Sequence, residues 1–332
     1  MVAVDIQFSS VGSGLVRPES VLTHRSGHIF AANWRGNGGV SIITPSGVTH
    51  DHLSTRTGFV LRPNGIALEP SGSFLLAHLG TDDGGLFRLH PNGELEDVLT
   101  EINGEPIPPS NFPLVDKKGR IWLTVSTRIF PRADDYRKDA ATGFIILIDG
   151  GKARIVADGL GYANEIAISP DGQYLYANET FGRRLTRFTL DEQGNLHQRT
   201  VIAELEAGDY PDGLTLDSAG NFIITSIVSN RIIRVTPQGH REVLAQGSDD
   251  DHIAWVEEAW LTDSMGRPHL DQVKSETLKN ISSLAFGGED MRTAFLGCLL
   301  GDNITTFRYD IPGAVPVHYD FDIQPLLTRL PR

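Results

Sequence analysis

Short apolar runs alternate with polar turns along the chain, and one unit of that pattern recurs. From 211 it reads PDGLTLDSAGNFIITSIVSNRIIRVTPQGHREVL, from 163 ANEIAISPDGQYLYANETFGRRLTRFTLDEQG, and from 63 PNGIALEPSGSFLLAHLGTDDGGLFRLHPNGELEDVL. Further copies are SNFPLVDKKGRIWLTVSTR from 110, PESVLTHRSGHIFAANW from 18 and SSLAFGGEDMRTAFLGCLLGDNITTFRYD from 282. Each has a polar head, an apolar strand, a glycine turn, a second apolar strand, a loop and a third strand. Glu19, Asn64, Asn111, Asn164 and Asp212 each precede a glycine by eight positions: Gly27, Gly72, Gly119, Gly172 and Gly220. Such turns join two-stranded hairpins. The sixth copy shifts its turn to Gly287–Gly288.

The heads are spaced by 45, 47, 53, 48 and 70 residues. A period of roughly 40–50 residues built of short strands predicts a propeller. The expected fold is all-β: one six-bladed β-propeller domain over 1–332, with four-stranded antiparallel blades starting near 19, 64, 111, 164, 212 and 282. Two spacings are long because of insertions at 128–142 and 248–280. In the second, Ile253, Val256, Trp260 and Leu261 fall close to helical spacing. Both insertions read as lids over one face, or else as decoration remote from any site.

At 332 residues the chain exceeds the roughly 250–300 residues that one core supports, which again favours a repeat architecture. Its net charge of −13 argues against nucleic acid and anionic membranes as partners. No stretch approaches the roughly 20 apolar residues that span a bilayer. MVAVDIQFSS has neither the basic nor the apolar region of a signal peptide, so a cytoplasmic location is expected. Cys298, in TAFLGCLL, reads as a buried structural thiol rather than a nucleophile. No P-loop, HExxH, GxSxG or paired CxxC occurs. The acidic runs TDDGG (81–85) and SDDDH (248–252) read as solvated loops, and THDHL (49–53) as the outer strand of the first blade.

The inner strand of every blade lies nearest the propeller axis, so Glu19, Asn64, Asn111, Asn164, Asp212 and Ser282 should converge at one end. Two carboxylates crowded there would repel, and one would take up a proton unless a cation intervened. Carboxylates with amide oxygens suit one divalent cation, calcium foremost, then magnesium or manganese. Zinc comes last, because it prefers histidine and cysteine. Taken singly, each Asx head also reads as a turn cap.

NEIAISPDGQYLYANET, YPDGLTLDSAGN and FGGED together resemble the gluconolactonase, senescence-marker-protein and luciferin-regenerating-enzyme family of six-bladed propellers, over nearly the whole chain. The resemblance implies one axial cation held by Glu19, Asn111, Asn164 and Asp212, with Asp212 acting also as base or nucleophile. There are departures. PESV stands where the family reads E-G-P, PPSNFP lacks an arginine associated with sugar-lactone binding, and Glu165 stands where glycine is usual. Glu165 could be a fifth ligand, a base or a residue turned outward, and is expected to turn outward.

The leading reading is therefore a metal-dependent lactonase or esterase that opens a cyclic ester. Asn64 would bind substrate or a metal-bound water. Trp34, Arg62, His78, Ser126 and Glu179 are candidate substrate contacts. Trp255 and Trp260 either pack the second insertion down or line an apolar mouth suited to a hydrophobic small molecule. Rival readings are a phosphotriesterase, a strictosidine-synthase-like enzyme and a non-catalytic binding propeller.

Overall fold

The computed structural model describes residues 6–330. The expected six-bladed propeller of four-stranded antiparallel sheets is what the chain forms. The inner strands are Val21–Thr23, Pro63–Leu68, Ser110–Val115, Ala163–Ile168, Asp209–Leu216 and Ile281–Gly287. Blades one to five each use four strands consecutive in the fold order. The sixth is completed by Ser9–Val11, which pairs antiparallel with Ile304–Arg308. The ring is thus closed by a strand that the repeat pattern left unassigned.

The five predicted turn glycines all adopt left-handed backbone, with φ between 75° and 84°. Their N–H groups close the turns, as Gly220 does on the Asp217 carbonyl at 3.0 Å and Gly172 on Ser169 at 2.8 Å. In blade six Met291 takes the left-handed position (φ 56°) and its N–H bonds the Gly288 carbonyl at 3.2 Å. The outer strand of blade one is THDHL, as expected.

The apolar faces of neighbouring blades pack on one another, giving one core per seam. Leu75, Ala77 and Leu86 of blade two meet Leu123, Phe144 and Ile146 of blade three. Ile145 and Leu147 of blade three meet Ile166 and Leu175 of blade four. Val21, Ile29 and Ala31 of blade one meet Ile304 of blade six, which seals the ring. Each such leucine, isoleucine, valine or phenylalanine contributes about 1.5–3 kcal/mol on burial.

Both insertions sit over the same end. The first holds a short 3-10 turn, Arg132–Asp135. The second holds helices α1 (Asp250–Leu261) and α2 (Arg267–Asp271). The acidic run SDDDH is the start of α1 rather than a loop. Asp249 caps it by accepting from the His252 N–H at 3.0 Å, where a negative charge suits the helix end. Tyr136 of the first insertion packs with Val256, Met265 and Leu270 of the second, upon Tyr162, Phe181 and Tyr210 of blades four and five. The Trp260 ring lies 3.6 Å from the Arg183 guanidinium, and Trp255 stacks on His269 at 4.1 Å. These tryptophans pack the insertion down and do not form an apolar mouth. Cys298 is buried, and burial pushes its thiol up to about 11, in keeping with a structural role. Among the described residues no helix is long and apolar enough to cross a membrane.

Candidate functional site

The inner strands are irregular at their heads. Register shifts fall between Pro63 and Ile66, Ser110 and Phe112, Ala163 and Ile166, Pro211 and Leu214, and Ile281 and Ser283. Glu19 lies just before the first inner strand. A bulge re-aims a side chain that regular pleating would send into a blade seam. Threonine hydroxyls replace ladder bonds lost there: Thr124 accepts from the Phe112 N–H at 3.0 Å and Thr225 from the Gly213 N–H at 2.9 Å.

The heads are buried and tied to one another. Asn64 Nδ2 donates to Glu19 Oε1 at 2.8 Å, and Ser282 Oγ donates to the Glu19 carbonyl at 2.8 Å. Asn111 Nδ2 donates to Ser126 Oγ at 2.9 Å, and Asn164 Nδ2 to Thr180 Oγ1 at 3.0 Å. With the amide nitrogens so occupied, the oxygens are left over. Glu19 Oε2, Asn111 Oδ1, Asn164 Oδ1 and Asp212 Oδ1 are all buried and all without a hydrogen-bond partner. Buried polar atoms normally have partners, so four unsatisfied oxygens on four convergent heads need an explanation.

Charge gives the same picture. Burial pushes the Glu19 carboxyl up to about 7, against the opposing influence of Arg17, Arg132 and the Asn64 hydrogen bond. Burial, then Glu19 and Glu165, raises Asp212 well above the usual carboxylate range. Without a counter-ion, then, the ionised state expected of Asp212 is disfavoured. Among the described residues Arg17 makes no hydrogen bond to either carboxylate, and its own Nε is buried and unpartnered. A hard divalent cation fits these four oxygens in charge and in donor type. Among the described residues no three or more His, Cys, Asp and Glu side chains form a metal-binding group, so the fit depends on the two amides.

One residue beyond each head a second ring joins the blades. Ser20 Oγ accepts from the Ile66 N–H at 3.3 Å, Glu165 Oε2 from Leu214 N–H at 2.8 Å, and Ser283 Oγ from Val21 N–H at 3.4 Å. Each bond runs from one blade to the next. Where the ring has glycine, a Cβ at Gly65 or Gly213 would lie 2.7 Å from the backbone of the next blade. Glu165 is therefore buried rather than turned outward, and acts as a strut between blades four and five. Burial raises its carboxyl to about 8.

A mouth cavity of about 670 Å³ is lined by Arg17, Trp34, Arg62, His78, Arg132 and Arg267, among others. Arg17 and Arg132 lie close enough to Glu19 to act on its charge, which places this mouth over the head ring. Trp34, Arg62 and His78 thus stand together there. His78 Nδ1 accepts from the Arg62 N–H at 3.0 Å. Ser126 and Glu179 line neither cavity. Ser126 positions Asn111 instead. Glu179 is fully buried among Arg184, Arg199, Thr186 and the Gly161 N–H. Against the cost of burial, those hydrogen bonds hold it below the usual carboxylate range. It is a structural carboxylate. Asn64 serves Glu19 rather than standing free for substrate. A larger cavity of about 900 Å³ opens at the other end of the channel, among hairpin turns, and no head lines it.

Arg17, Arg132 and Arg267 were absent from the sequence-derived candidates. Arg17 could have been found, because it stands two residues before Glu19 just as Arg62 stands before Asn64. Arg132 and Arg267 lie in insertions that have no repeat register.

A family model described as the SMP-30/Gluconolactonase/LRE-like region matches residues 62–246. A 6-deoxy-6-sulfogluconolactonase from Pseudomonas putida is 27% identical over 233 residues, covering 69% of this chain and 66% of that protein. The chain spans just under two thirds of that relative's length and less of the next two curated relatives. Among solved structures, a luciferin-regenerating enzyme superposes with a TM-score of 0.67 at 16% identity, covering 95% of this chain and 99% of that one. Regucalcin from Agrobacterium tumefaciens, described as a calcium-binding protein, superposes at 0.66 with 17% identity, covering 94% and 97%.

Proposed function

The chain belongs to the SMP-30/gluconolactonase/LRE-like family, and from that premise we propose that it is a lactonase that depends on one divalent cation, calcium by preference. The observation that carries this is the set of four buried, unpartnered oxygens on Glu19, Asn111, Asn164 and Asp212. Those residues would hold the cation. When bound, it would supply charge for the ester carbonyl as negative charge develops there.

The chain's own residues do the rest. Asn64 orients the Glu19 carboxylate, and Ser126 and Thr180 fix the two amides so that their oxygens stay turned to the site. Asp212, once ionised, takes a proton from the attacking water. Its backbone carbonyl is pinned by Asn178 Nδ2 at 3.1 Å, which holds the side chain in place. Trp34 and the arginines of the mouth orient the remainder of the substrate. The sulfogluconolactonase relative supports a lactone as substrate, and the calcium-binding structural neighbour supports calcium.

The test is to strip the purified protein with chelator, measure bound metal, and follow acid release from a panel of γ- and δ-lactones. Activity should vanish on stripping and return with calcium. Full turnover by the stripped protein would overturn the proposal. Phosphotriesters in the same panel decide the rival hydrolase reading.

A further inference from the structure

We propose that the substrate carries an oxyanionic substituent, a carboxylate or sulfonate, and that Arg17, Arg62, Arg132 and Arg267 receive it at the mouth. The inference rests on the lactonase reading for the reacting ring, and on the mouth alone for the anion.

The chain has 42 acidic against 29 basic residues, yet four of the thirteen residues lining the mouth are arginine and one, Asp83, is a carboxylate. Asp83 faces His78, at 3.6 Å, from an exposed position. Elsewhere most arginines are tied to acids, as Arg88 is to Glu69, Arg120 to Asp116, and Arg231 and Arg241 to Asp209, with Arg154 and Arg187 among the exceptions. In the mouth the pattern reverses. Among the described residues Arg17, Arg62 and Arg132 make no ion pair, and only the exposed Arg267 does, with Asp271. Glu19 lies near Arg17 and Arg132, and Arg62 Nη1 donates to the Leu61 and Trp34 carbonyls at 3.2 and 3.4 Å. One carboxylate shared with a cation leaves four guanidinium groups in charge excess, which an entering anion would relieve.

The groups are also placed rather than merely gathered. Arg17 and Arg62 stand two residues before the heads of adjacent blades, in the segments that lead into the inner strands, and both line the mouth. Their guanidinium groups lie 4.3 and 5.5 Å from the Trp34 ring. That ring is fixed in turn by its N–H, which donates to the Pro63 carbonyl at 2.8 Å. Arg17 adopts left-handed backbone, φ 53°, a conformation unfavourable for a non-glycine residue. Strain of this kind persists where the surroundings impose it, commonly at ligand sites. Arg132 and Arg267 arrive from the two insertions, so the lids bring charge to the mouth as well as cover. A guanidinium fork matches the paired oxygens of a carboxylate or sulfonate.

The test compares calcium-loaded protein on lactones of one ring size that are neutral, carboxylated or sulfonated. Charge-assisted bonds predict a preference of about 10–100-fold in kcat/KM for the anionic rings. Which anion is preferred separates the two substituents. Arg62→Met and Arg267→Gln should each cut that preference several-fold, chiefly through KM, and added salt should erode it. In parallel, calorimetry measures binding of glucarate, an open-chain diacid, to wild type and both variants. Equal turnover of neutral and anionic rings overturns the inference and leaves the lactonase reading standing. If no lactone is opened yet glucarate binds and Arg62→Met weakens it, the anion site stands and the lactonase reading falls. Absence of both turnover and glucarate binding overturns the inference.

Discussion

Asn64 Nδ2 donates to Glu19 Oε1 at 2.8 Å across the seam between blades one and two, while Glu19 Oε2 stays buried and free. A neutral donor that occupies one carboxylate oxygen fixes where the other can act. Such supporting partners change metal affinity by about 10–100-fold when removed. Asn64→Ala should therefore weaken calcium binding by that order, with the fold intact by circular dichroism. Calorimetric titration checks it, and unchanged affinity would remove Asn64 from the site.

The raised carboxyls set a pH dependence of definite sign. Glu19 titrates near 7 in the cation-free fold, well above its ordinary value of 4.5. The protonated form is the one the fold favours, so this contribution to stability is present below about 4.5 and is lost as pH rises to about 7. Asp212 is shifted in the same direction. The stripped protein should thus lose melting temperature from pH 5 to 7.5, and calcium should restore more of it at the higher pH. Because binding displaces protons, calcium affinity should rise with pH over the same range. Thermal scans with and without calcium measure both trends.

Glu165 separates two roles that a buried acid can play. Its Oε2 accepts the Leu214 N–H at 2.8 Å, and burial lifts its carboxyl to about 8. Glu165→Gln keeps the acceptor and removes the cost of ionisation, so it should match wild type below about pH 4.5 and exceed it increasingly as pH rises to about 8. Glu165→Ala leaves the buried N–H without a partner and should be about 1–3 kcal/mol less stable than Glu165→Gln at any pH. Denaturant melts distinguish the pair. A large loss of turnover in Glu165→Gln at wild-type stability would instead place this residue in the chemistry.

What the sequence made legible was whatever is local and periodic. The eight-residue step from head to glycine is set within one hairpin, so Asp212 and Gly220 announce each other. Convergence of Glu19, Asn111, Asn164 and Asp212 then follows from blade geometry. Three things escaped. Ser9–Val11 closes blade six by pairing with Ile304–Arg308, a partnership that three residues cannot signal. Glu179 reads in the sequence as a candidate substrate contact, but its partners lie far along the chain: Arg199 reaches it from the outer strand of its blade, 20 residues away. Arg132 and Arg267 join Arg17 at the mouth from insertions that have no repeat register.

Asp212 is asked both to hold the cation and to take a proton, and these duties can be parted. Asp212→Asn keeps an oxygen for the cation but offers no base, and it removes one of the two charges that balance +2. Cation affinity should fall but remain measurable. The rate should fall further than occupancy does, because proton transfer by a positioned side chain is worth about 10²–10⁴-fold. The decisive measurement is kcat at saturating calcium, where weak binding no longer limits the rate. A variant that recovers wild-type kcat there would show that Asp212 only holds the cation, and the proton would then need another acceptor. Of the nearby carboxylates, Glu19 also keeps one unpartnered oxygen, Oε2, and would be the next acceptor to test, whereas Glu165 has one oxygen tied to Leu214 as a strut between blades. A loss of at least about 100-fold in kcat at full occupancy is the expected result.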